Sequence, residues 1–305
     1  MLLAYLAMCA IFGTTFFAIR VGLDGGLPPF LFAGLRFFLA GAGLLPVLAW
    51  AGRRPRLGAT DAAAVAAAGV LMTSVPYAAL FWGEQHVSSG TAAFLVSTAP
   101  IFTTLIAAAG GEAPLAAGVV LGLAVSVAGT AAIVADRPGG TPGSGGAAET
   151  IGKVGLVLGE LAFAVGAVRS RSLVRRLSPF GFNAWQMLFG SLPLLALAAL
   201  LERPWLPDVT PAALAALAYL AVVASMIGLG LYYWLLARAG ATFPTTWTYV
   251  SPVIALGVGA VWLGERPGPL TLVGCAAVLA GTVAINWKTL RHPGSGLSVL
   301  RAGKR

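Results

Sequence analysis

Long apolar runs dominate this sequence, and the short breaks between them carry most of its charges and many of its prolines and glycines. A helix needs about 20 apolar residues to cross the hydrocarbon core of a bilayer, which is about 30 Å thick. Ten runs approach this length, and they lie at 2–22, 29–51, 61–83, 87–109, 114–135, 152–174, 179–201, 211–234, 241–263 and 268–287. The pattern predicts an all-α membrane protein with ten transmembrane helices.

The longest polar break divides the chain into two similar parts. Residues 136–151 are rich in Gly and Pro, which is typical of a flexible linker, and they follow the fifth apolar run. We therefore expect a first five-helix repeat at 1–135 and a second at 152–288. A basic tail at 289–305 follows the last run.

The two halves carry matching features in the same order. The aligned pairs are Pro100 with Pro252, Arg36 with Gln186, Pro76 with Gly228 and Gly129 with Gly281. Because each half has an odd number of helices, the second half enters the membrane from the opposite side. The alignment predicts two inverted repeats, an arrangement in which transport sites lie near the midplane between the halves.

Composition points to lipid rather than water as the solvent. Of the 305 residues, 58% are hydrophobic and 10% are charged, whereas soluble domains carry roughly 25% charged residues. A net charge of +9 would suggest a nucleic-acid partner for a soluble protein, but no basic stripe with interleaved aromatic residues is present. We expect the bilayer as a partner and no nucleic acid.

The positions of Lys and Arg predict the orientation. Thirteen of them lie in the breaks after even-numbered runs and in the tail, and five lie on the other side. Cytoplasmic loops carry the excess of positive charge. We therefore expect a multi-pass protein of the plasma (inner) membrane with both termini in the cytoplasm.

Two charged residues lie inside apolar runs, where an ionised side chain is costly unless it is paired or hydrated. Arg36 lies in the second run, where it would serve the transport pathway or its gate, form a structural ion pair, or reach the nearer membrane surface. Glu160 lies in the sixth run, where it would bind a cationic group, exchange a proton, or pair with an arginine such as Arg36. Both are candidates for the pathway.

Two prolines mark candidate hinges. Pro100 and Pro252 have no amide hydrogen, so each is expected to release the carbonyl four residues earlier, at Val96 and Thr248, and to bend its helix. A bend at membrane depth faces protein or a wet cavity. The alternative is that these bends only shape the packing.

Polar and aromatic residues within the runs supply further candidates for the pathway. They are Tyr77, Ser97, Gln186, Tyr232, Trp247 and Tyr249. Ser97 and Tyr249 each precede their proline by three residues, so they occupy equivalent positions in the two repeats.

Acidic residues in the breaks receive structural interpretations. Glu84 and His86 lie at the end of the third run, where the alternatives are a catalytic or proton-relay role and a solvated loop, and we expect the solvated loop. Glu112 and Glu265 follow the fourth and ninth runs, and we expect each to cap or orient the next helix.

These features together resemble a known family. They are Phe12-Gly13 with Arg20, Gly34-Leu35-Arg36-Phe37, Ser97-Thr98-Ala99-Pro100 with Gly111-Glu112, Val250-Ser251-Pro252 with Leu263-Gly264-Glu265-Arg266, and Leu279-Ala280-Gly281. Over about residues 1–288 the chain is similar to EamA-type transporters of the drug/metabolite transporter superfamily. The resemblance implies ten helices in two inverted EamA repeats around a central cavity. It also implies transport of small metabolites or drugs, often outward, across a prokaryotic plasma membrane.

The sequence departs from the family pattern at three positions. Phe12 stands where tryptophan is common, Arg20 where lysine is frequent, and Glu160 has no common counterpart. The substrate therefore does not follow from the resemblance.

The functional prediction is a secondary transporter that works by alternating access and exports amino acids, related solutes or drugs. No nucleotide-binding loop is present, so a proton or the gradient of the substrate would supply the energy. The alternatives are an uptake permease, a channel, or a translocator of lipids or lipid precursors on the same fold.

An enzyme is not expected, because the sequence has no HExxH motif and its two histidines, His86 and His292, lie outside the apolar runs. Cys9 and Cys275 each lie within an apolar run, as small buried residues do. We expect no metal, no other cofactor and no catalytic residue. The oligomeric state stays open.

Overall fold

Helices form the framework of the computed structural model, which describes residues 1–53, 56–110, 117–136, 146–202, 208–232, 235 and 247–291. The helices are α1 (Leu2–Asp24), α2 (Pro29–Trp50), α3 (Ala59–Gly83), α4 (Ser89–Val96), α5 (Ala99–Ala109), α6 (Ala117–Ala135), α7 (Ala147–Arg169), α8 (Arg171–Leu177), α9 (Pro179–Leu201), α10 (Pro211–Tyr232), α11 (Trp247–Trp262) and α12 (Pro269–Arg291). No strand occurs within these ranges. The prediction of an all-helical protein is confirmed for this part of the chain.

Eight helical stretches in the described residues are long and apolar enough to cross a membrane. They are α1, α2, α3, the α4–α5 stretch Ser89–Ile106, α6, α7, α9 and α10. Two shorter apolar helices, Trp247–Trp262 and Pro269–Ile285, coincide with the last two predicted runs. The membrane character is confirmed, and the count of ten spans stays a prediction.

The sixth predicted run, 152–174, has different boundaries in the structure. Helix α7 begins earlier, at Ala147, and ends at Arg169, and the short helix α8 follows after Ser170. The first turns of α7 contain the charged residues Glu149 and Lys153, which form a buried ion pair at 2.7 Å. A search for apolar runs does not detect a helical turn that contains such a pair.

Two helices contain a wider, π-helical stretch. In α3 it covers Val70–Ser74, and in α10 it covers Tyr219–Gly228. Pro76 follows the first stretch and cannot donate a hydrogen bond to the preceding turn, which accounts for the wider winding there. These stretches place hydroxyl side chains in the interior of the bundle.

Glycines bring α6 and α12 into close contact. A Cβ atom added to Gly129 would lie 2.7 Å from the carbonyl oxygen of Gly274, and one added to Gly122 would lie 2.7 Å from that of Gly281. Such distances leave no room for a side chain, so the two backbones touch. The remaining helices pack as α2 with α9, α1 with α10 and α11, α7 with α3 and α5, and α4 with α11.

Carboxylates cap helices at one end of the bundle, where α1 and α3 end and α2 and α4 begin; we call this the capped end. Glu202 accepts hydrogen bonds from the amides of Phe30 and Leu31, at 2.6 and 2.8 Å, in the first turn of α2. Asp136 accepts one from the amide of Thr271, at 2.7 Å, at the start of α12. Negative charge at a helix N-terminus is favourable because the free amides point toward it.

Glu265 caps a helix, but the prediction that it caps the next helix along the chain is wrong. Glu265 accepts hydrogen bonds from the amides of Ser89 and Gly90, at 2.7 and 3.2 Å, and therefore caps α4 in the other half of the chain. The chain turns at Gly264, whose φ of 66° is readily adopted by glycine. The Glu265 side chain, directly after this turn, reaches α4 and not α12. Glu112 lies outside the described residues.

Candidate functional site

Arg36 lies in the interior of the bundle rather than at a membrane surface. Its side chain is 4% exposed, and Nε donates a hydrogen bond to Ser225 Oγ at 3.2 Å. The guanidinium carbon lies 4.9 Å from the ring centroid of Phe37 and 5.3 Å from that of Tyr77. Such cation–π contacts offset part of the cost of burying the charge.

One nitrogen of Arg36 has no partner. Nη1 is buried and makes no hydrogen bond within the described part of the chain. The ion pair with Glu160, one of the alternatives from the sequence, is not formed. A buried donor without a partner is costly, so Nη1 is available for an anionic group.

Glu160 lies on α7 at a point where this helix approaches α3 closely. A Cβ atom added to the preceding Gly159 would lie 3.0 Å from Pro76 Cα. The Glu160 side chain is 7% exposed and forms no ion pair with a described residue. Tyr77 interacts electrostatically with both Arg36 and Glu160. Two ionisable groups of opposite type, neither in an ion pair with a described residue, thus belong to one region around Tyr77.

Gln186, on α9, belongs to a polar cluster between α9 and α3. Thr73 donates a hydrogen bond from Oγ1 to Gln186 Oε1 at 2.8 Å, and Gln186 Nε2 donates to Asn183 Oδ1 at 3.2 Å. Thr73 lies four residues before Tyr77 on α3. Gln186 therefore lies beside the helix that carries Tyr77.

The contacts of Arg36 and Gln186 correspond to each other. Arg36 on α2 bonds to Ser225 in the π-helical stretch of α10, and Gln186 on α9 bonds to Thr73 in that of α3. Arg36 aligns with Gln186, and the register that aligns Pro76 with Gly228 also aligns Thr73 with Ser225.

Sequence reasoning did not single out a hydroxyl pair between α1 and α10. Thr14 Oγ1 and Tyr219 Oη lie 2.7 Å apart, and Tyr219 interacts electrostatically with Arg36. Hydroxyls inside apolar runs are a weak signal on their own. Thr73 could have been found by carrying the repeat alignment through to Ser225.

Ser97 and Pro100 lie at a break between two helices rather than at a bend within one. Helix α4 ends at Val96, and Pro100 lies in the first turn of α5. The carbonyl of Ala93 accepts hydrogen bonds from both the amide and Oγ of Ser97, at 3.1 and 2.8 Å. Proline suits a first turn because no amide is required there. Pro252, in contrast, lies inside α11.

The remaining aromatic candidates contact other residues of the bundle. Trp247 packs on Phe12 with ring centroids 4.6 Å apart, and Tyr232 packs against the same apolar cluster near Tyr5, at the opposite end from the capped end. Tyr249 donates a long hydrogen bond, 3.5 Å, to the carbonyl of Thr282 on α12. Their pathway roles, like the hinge roles of the prolines, stay predictions.

A shallow depression, largely open to the outside, lies beside α1 and α10. The described residues that line it are apolar: Ala4, Ile227, Gly230 and Leu231. Arg36 and Glu160 are not among them. Arg36, Glu160 and Gln186 are all buried, so the charged region is closed to solvent in this structure.

Glu84 is not in a solvated loop, as the sequence predicted, but fully buried at the capped end. It continues the last turn of α3, since its amide donates to the carbonyl of Leu80 at 2.9 Å, and its side chain is 0% exposed. Burial raises the pKa of the Glu84 carboxyl well above its usual value; nearby Glu265 adds to this, while Arg20 and Arg36 oppose it. The polar residues around position 84 gave no sign of this packing.

A bundle of apolar helices that buries ionisable groups without an ion pair, as the described residues do here, is typical of membrane proteins that move solutes. The chain belongs to the EamA-like transporter family, whose model matches residues 1–135 and 150–287. The family resemblance found in the sequence is confirmed. The protein is therefore a multi-pass membrane transporter.

Two relatives and one solved structure illustrate the similarity. The chain is 34% identical to the "Probable terminal-alkyne amino-acid exporter" of Streptantibioticus cattleyicolor, over 91% of this chain and 90% of that protein. It is 27% identical to the "Uncharacterized inner membrane transporter YedA" of Escherichia coli strain K12, over 92% and 89%. A crystal structure with 18% identity shares the fold with a TM-score of 0.66, over 95% of this chain and 97% of that one.

Proposed function

We propose that this transporter exports amino acids or related zwitterionic solutes by alternating access. The observation that carries the proposal is the pair of buried opposite charges, Arg36 and Glu160, which do not pair with each other and both interact with Tyr77. The carboxylate of an amino acid would bind Arg36 Nη1, which has a free donor. Its ammonium group would bind Glu160.

The relative named as an amino-acid exporter supports this substrate class and direction, because it matches nearly the whole chain. The rings of Phe37, Tyr77 and Phe81 around Arg36 would contact an apolar side chain of the solute. A coupling proton belongs to the proposal, with Glu160 as one group able to exchange it when no solute is bound.

The proposed architecture is ten helices in two inverted repeats, the first at 1–135 and the second beginning with α7 at Ala147 and ending with α12 at Arg291, joined by the linker between α6 and α7 and followed by the basic tail. Three observations support it: the corresponding contacts of Arg36 and Gln186, the π-helical stretches in α3 and α10, and the reciprocal glycine contacts between α6 and α12. The two halves would rock about the charged region, with Pro100 and Pro252 as hinges. Ser97, Tyr232, Trp247 and Tyr249 would line the pathway away from Arg36.

We place the protein in the plasma (inner) membrane with both termini in the cytoplasm, on the basis of the Lys and Arg distribution. In this orientation the capped end faces outward. The closed capped end then represents a state in which the outer side is shut.

Counterflow of labelled amino acids into liposomes that contain the purified protein tests the proposal. We expect Arg36→Gln and Glu160→Gln each to weaken the apparent affinity by about tenfold or more, since a hydrogen bond to a charged group contributes about 1.5–3 kcal/mol. The matched controls are Arg53→Gln and Asp208→Asn, which change exposed charges. A folded protein that moves no amino acid, or a loss that is equal in the controls, would overturn the proposal.

A further inference from the structure

Glu84 is a buried carboxyl group that the proposed solute site does not use. Both of its carboxylate oxygens are buried and have no hydrogen-bond partner in the described part of the chain. Its main-chain groups do have partners: the carbonyl accepts a hydrogen bond from Arg20 Nη1 at 2.7 Å, and the amide donates to the carbonyl of Leu80 at 2.9 Å. A carboxylate without hydrogen bonds in such a position is strongly disfavoured compared with the neutral acid.

The charges around Glu84 balance one another and do not compensate its burial. Arg20 and Asp24 approach from α1, Arg36 from α2, and Glu265 from the segment before α12. Arg20 already binds Asp24 at 3.1 Å, and Glu265 already caps α4. Two positive and two negative neighbours largely cancel, so they do not offset the cost of burying a charged carboxylate. The neutral form of Glu84 is therefore favoured while the capped end is closed.

Glu84 also lies where the capped end is held together. The Arg20 side chain links its carbonyl to α1, and the next residues lead into the start of α4, which Glu265 holds. Opening this end would separate these contacts and admit water to the carboxyl group. Water stabilises the ionised form, so the open and closed states differ in their affinity for a proton.

We propose that Glu84 is a proton-binding site that controls the capped end: with a proton bound the end stays closed, and loss of the proton to water favours opening. This inference rests on the proposed function only in assuming that the capped end opens during transport. A state that binds a proton more tightly is favoured by acid. An acidic exterior would therefore favour closure after a solute has left.

Thiol accessibility measures the opening without any solute. Val87 is 2% exposed at the capped end, and Gln85 nearby is exposed. In a background with Cys9→Ala and Cys275→Ala, the purified protein in lipid nanodiscs carries either Val87→Cys or Gln85→Cys and reacts with a maleimide over a pH series. The rate at Val87→Cys is divided by the rate at Gln85→Cys. This ratio cancels the effect of pH on the reactivity of the thiol itself.

With Glu84 present, the ratio should increase with pH by up to about tenfold per pH unit, the limit for one titrating proton. With Glu84→Gln, which imitates the neutral acid, the ratio should stay low and independent of pH. Glu84→Asp should restore a pH response, with a shifted midpoint. Asp208→Asn, which removes an exposed carboxyl group, should leave the response unchanged.

A ratio that does not change with pH, or a pH response that persists in folded Glu84→Gln, would overturn the inference. Gel filtration of each variant establishes that it is folded. Because no solute is needed, the two proposals fail separately. A protein that moves no amino acid but shows the Glu84-dependent response refutes the proposed substrate class and retains the proton site.

Discussion

At the scale of single residues, polar groups inside the bundle decide what this transporter can bind. Arg36 is held by one hydroxyl and by aromatic rings, so part of its hydrogen-bonding capacity stays unused. Glu84 has even fewer partners, because neither carboxylate oxygen is bonded to any residue that the structure describes. Such groups lower the stability of the folded protein, and buried ionisable groups within membrane proteins are typical of functional sites.

The pKa of Glu84 predicts a pH dependence of stability. The folded-state pKa is raised above the ordinary value by burial, so the folded protein keeps a proton that the unfolded chain has released. The stability of the folded protein should therefore decrease as the pH rises from the ordinary range of a glutamate toward the raised pKa. Thermal unfolding in detergent should show this decrease, and Glu84→Gln should make the profile flatter. An identical profile in the variant would contradict the prediction.

The sequence revealed some of these residues and not others, for physical reasons. Arg36 and Glu160 stood out because a charge inside an apolar run is visible without a structure. The partner of Arg36, Ser225, lies 189 residues away and depends on how α2 meets α10. The burial of Glu84 depends equally on the packing of other helices over the end of α3.

At the scale of helices, hydrophobic runs predicted most elements because lipid requires long apolar helices that satisfy their own backbone. The runs did not predict the break at Ser97, the π-helical stretches or the early start of α7. These features depend on local hydrogen bonds from hydroxyl and charged side chains, which a hydropathy pattern does not contain.

The contact between α6 and α12 gives a prediction at this scale. A methyl group at Gly129 would meet backbone atoms of α12, which cannot move independently of the helix. Gly129→Ala should therefore lower the free energy of unfolding by about 1–3 kcal/mol, as overpacking does. Gly118 on the same helix has no atom within 4 Å of an added Cβ, so Gly118→Ala serves as the control and should be neutral or slightly stabilising. Equal losses in the two variants, measured by thermal unfolding in detergent, would contradict close packing at Gly129.

At the scale of the whole molecule, corresponding contacts recur in the two halves with different chemistry. One half places Arg36 opposite a hydroxyl, and the other places the neutral Gln186 opposite a hydroxyl. In the proposed repeat architecture these are two equivalent positions, of which only one carries a charge. This asymmetry allows the proposed site to distinguish the two ends of a zwitterion.

The proposed orientation gives the last prediction, because it decides which end the solute leaves. Gln85 is exposed at the capped end, and Thr60 is exposed at the start of α3, at the opposite end. In cells that produce the protein without Cys9 and Cys275, a membrane-impermeant maleimide should label Gln85→Cys. The same reagent should label Thr60→Cys only after the membrane is opened with detergent, since the excess of Lys and Arg lies on that side. Labelling of Thr60→Cys in intact cells, with Gln85→Cys protected, would contradict the proposed orientation. It would place the capped end, with Glu84, on the cytoplasmic side.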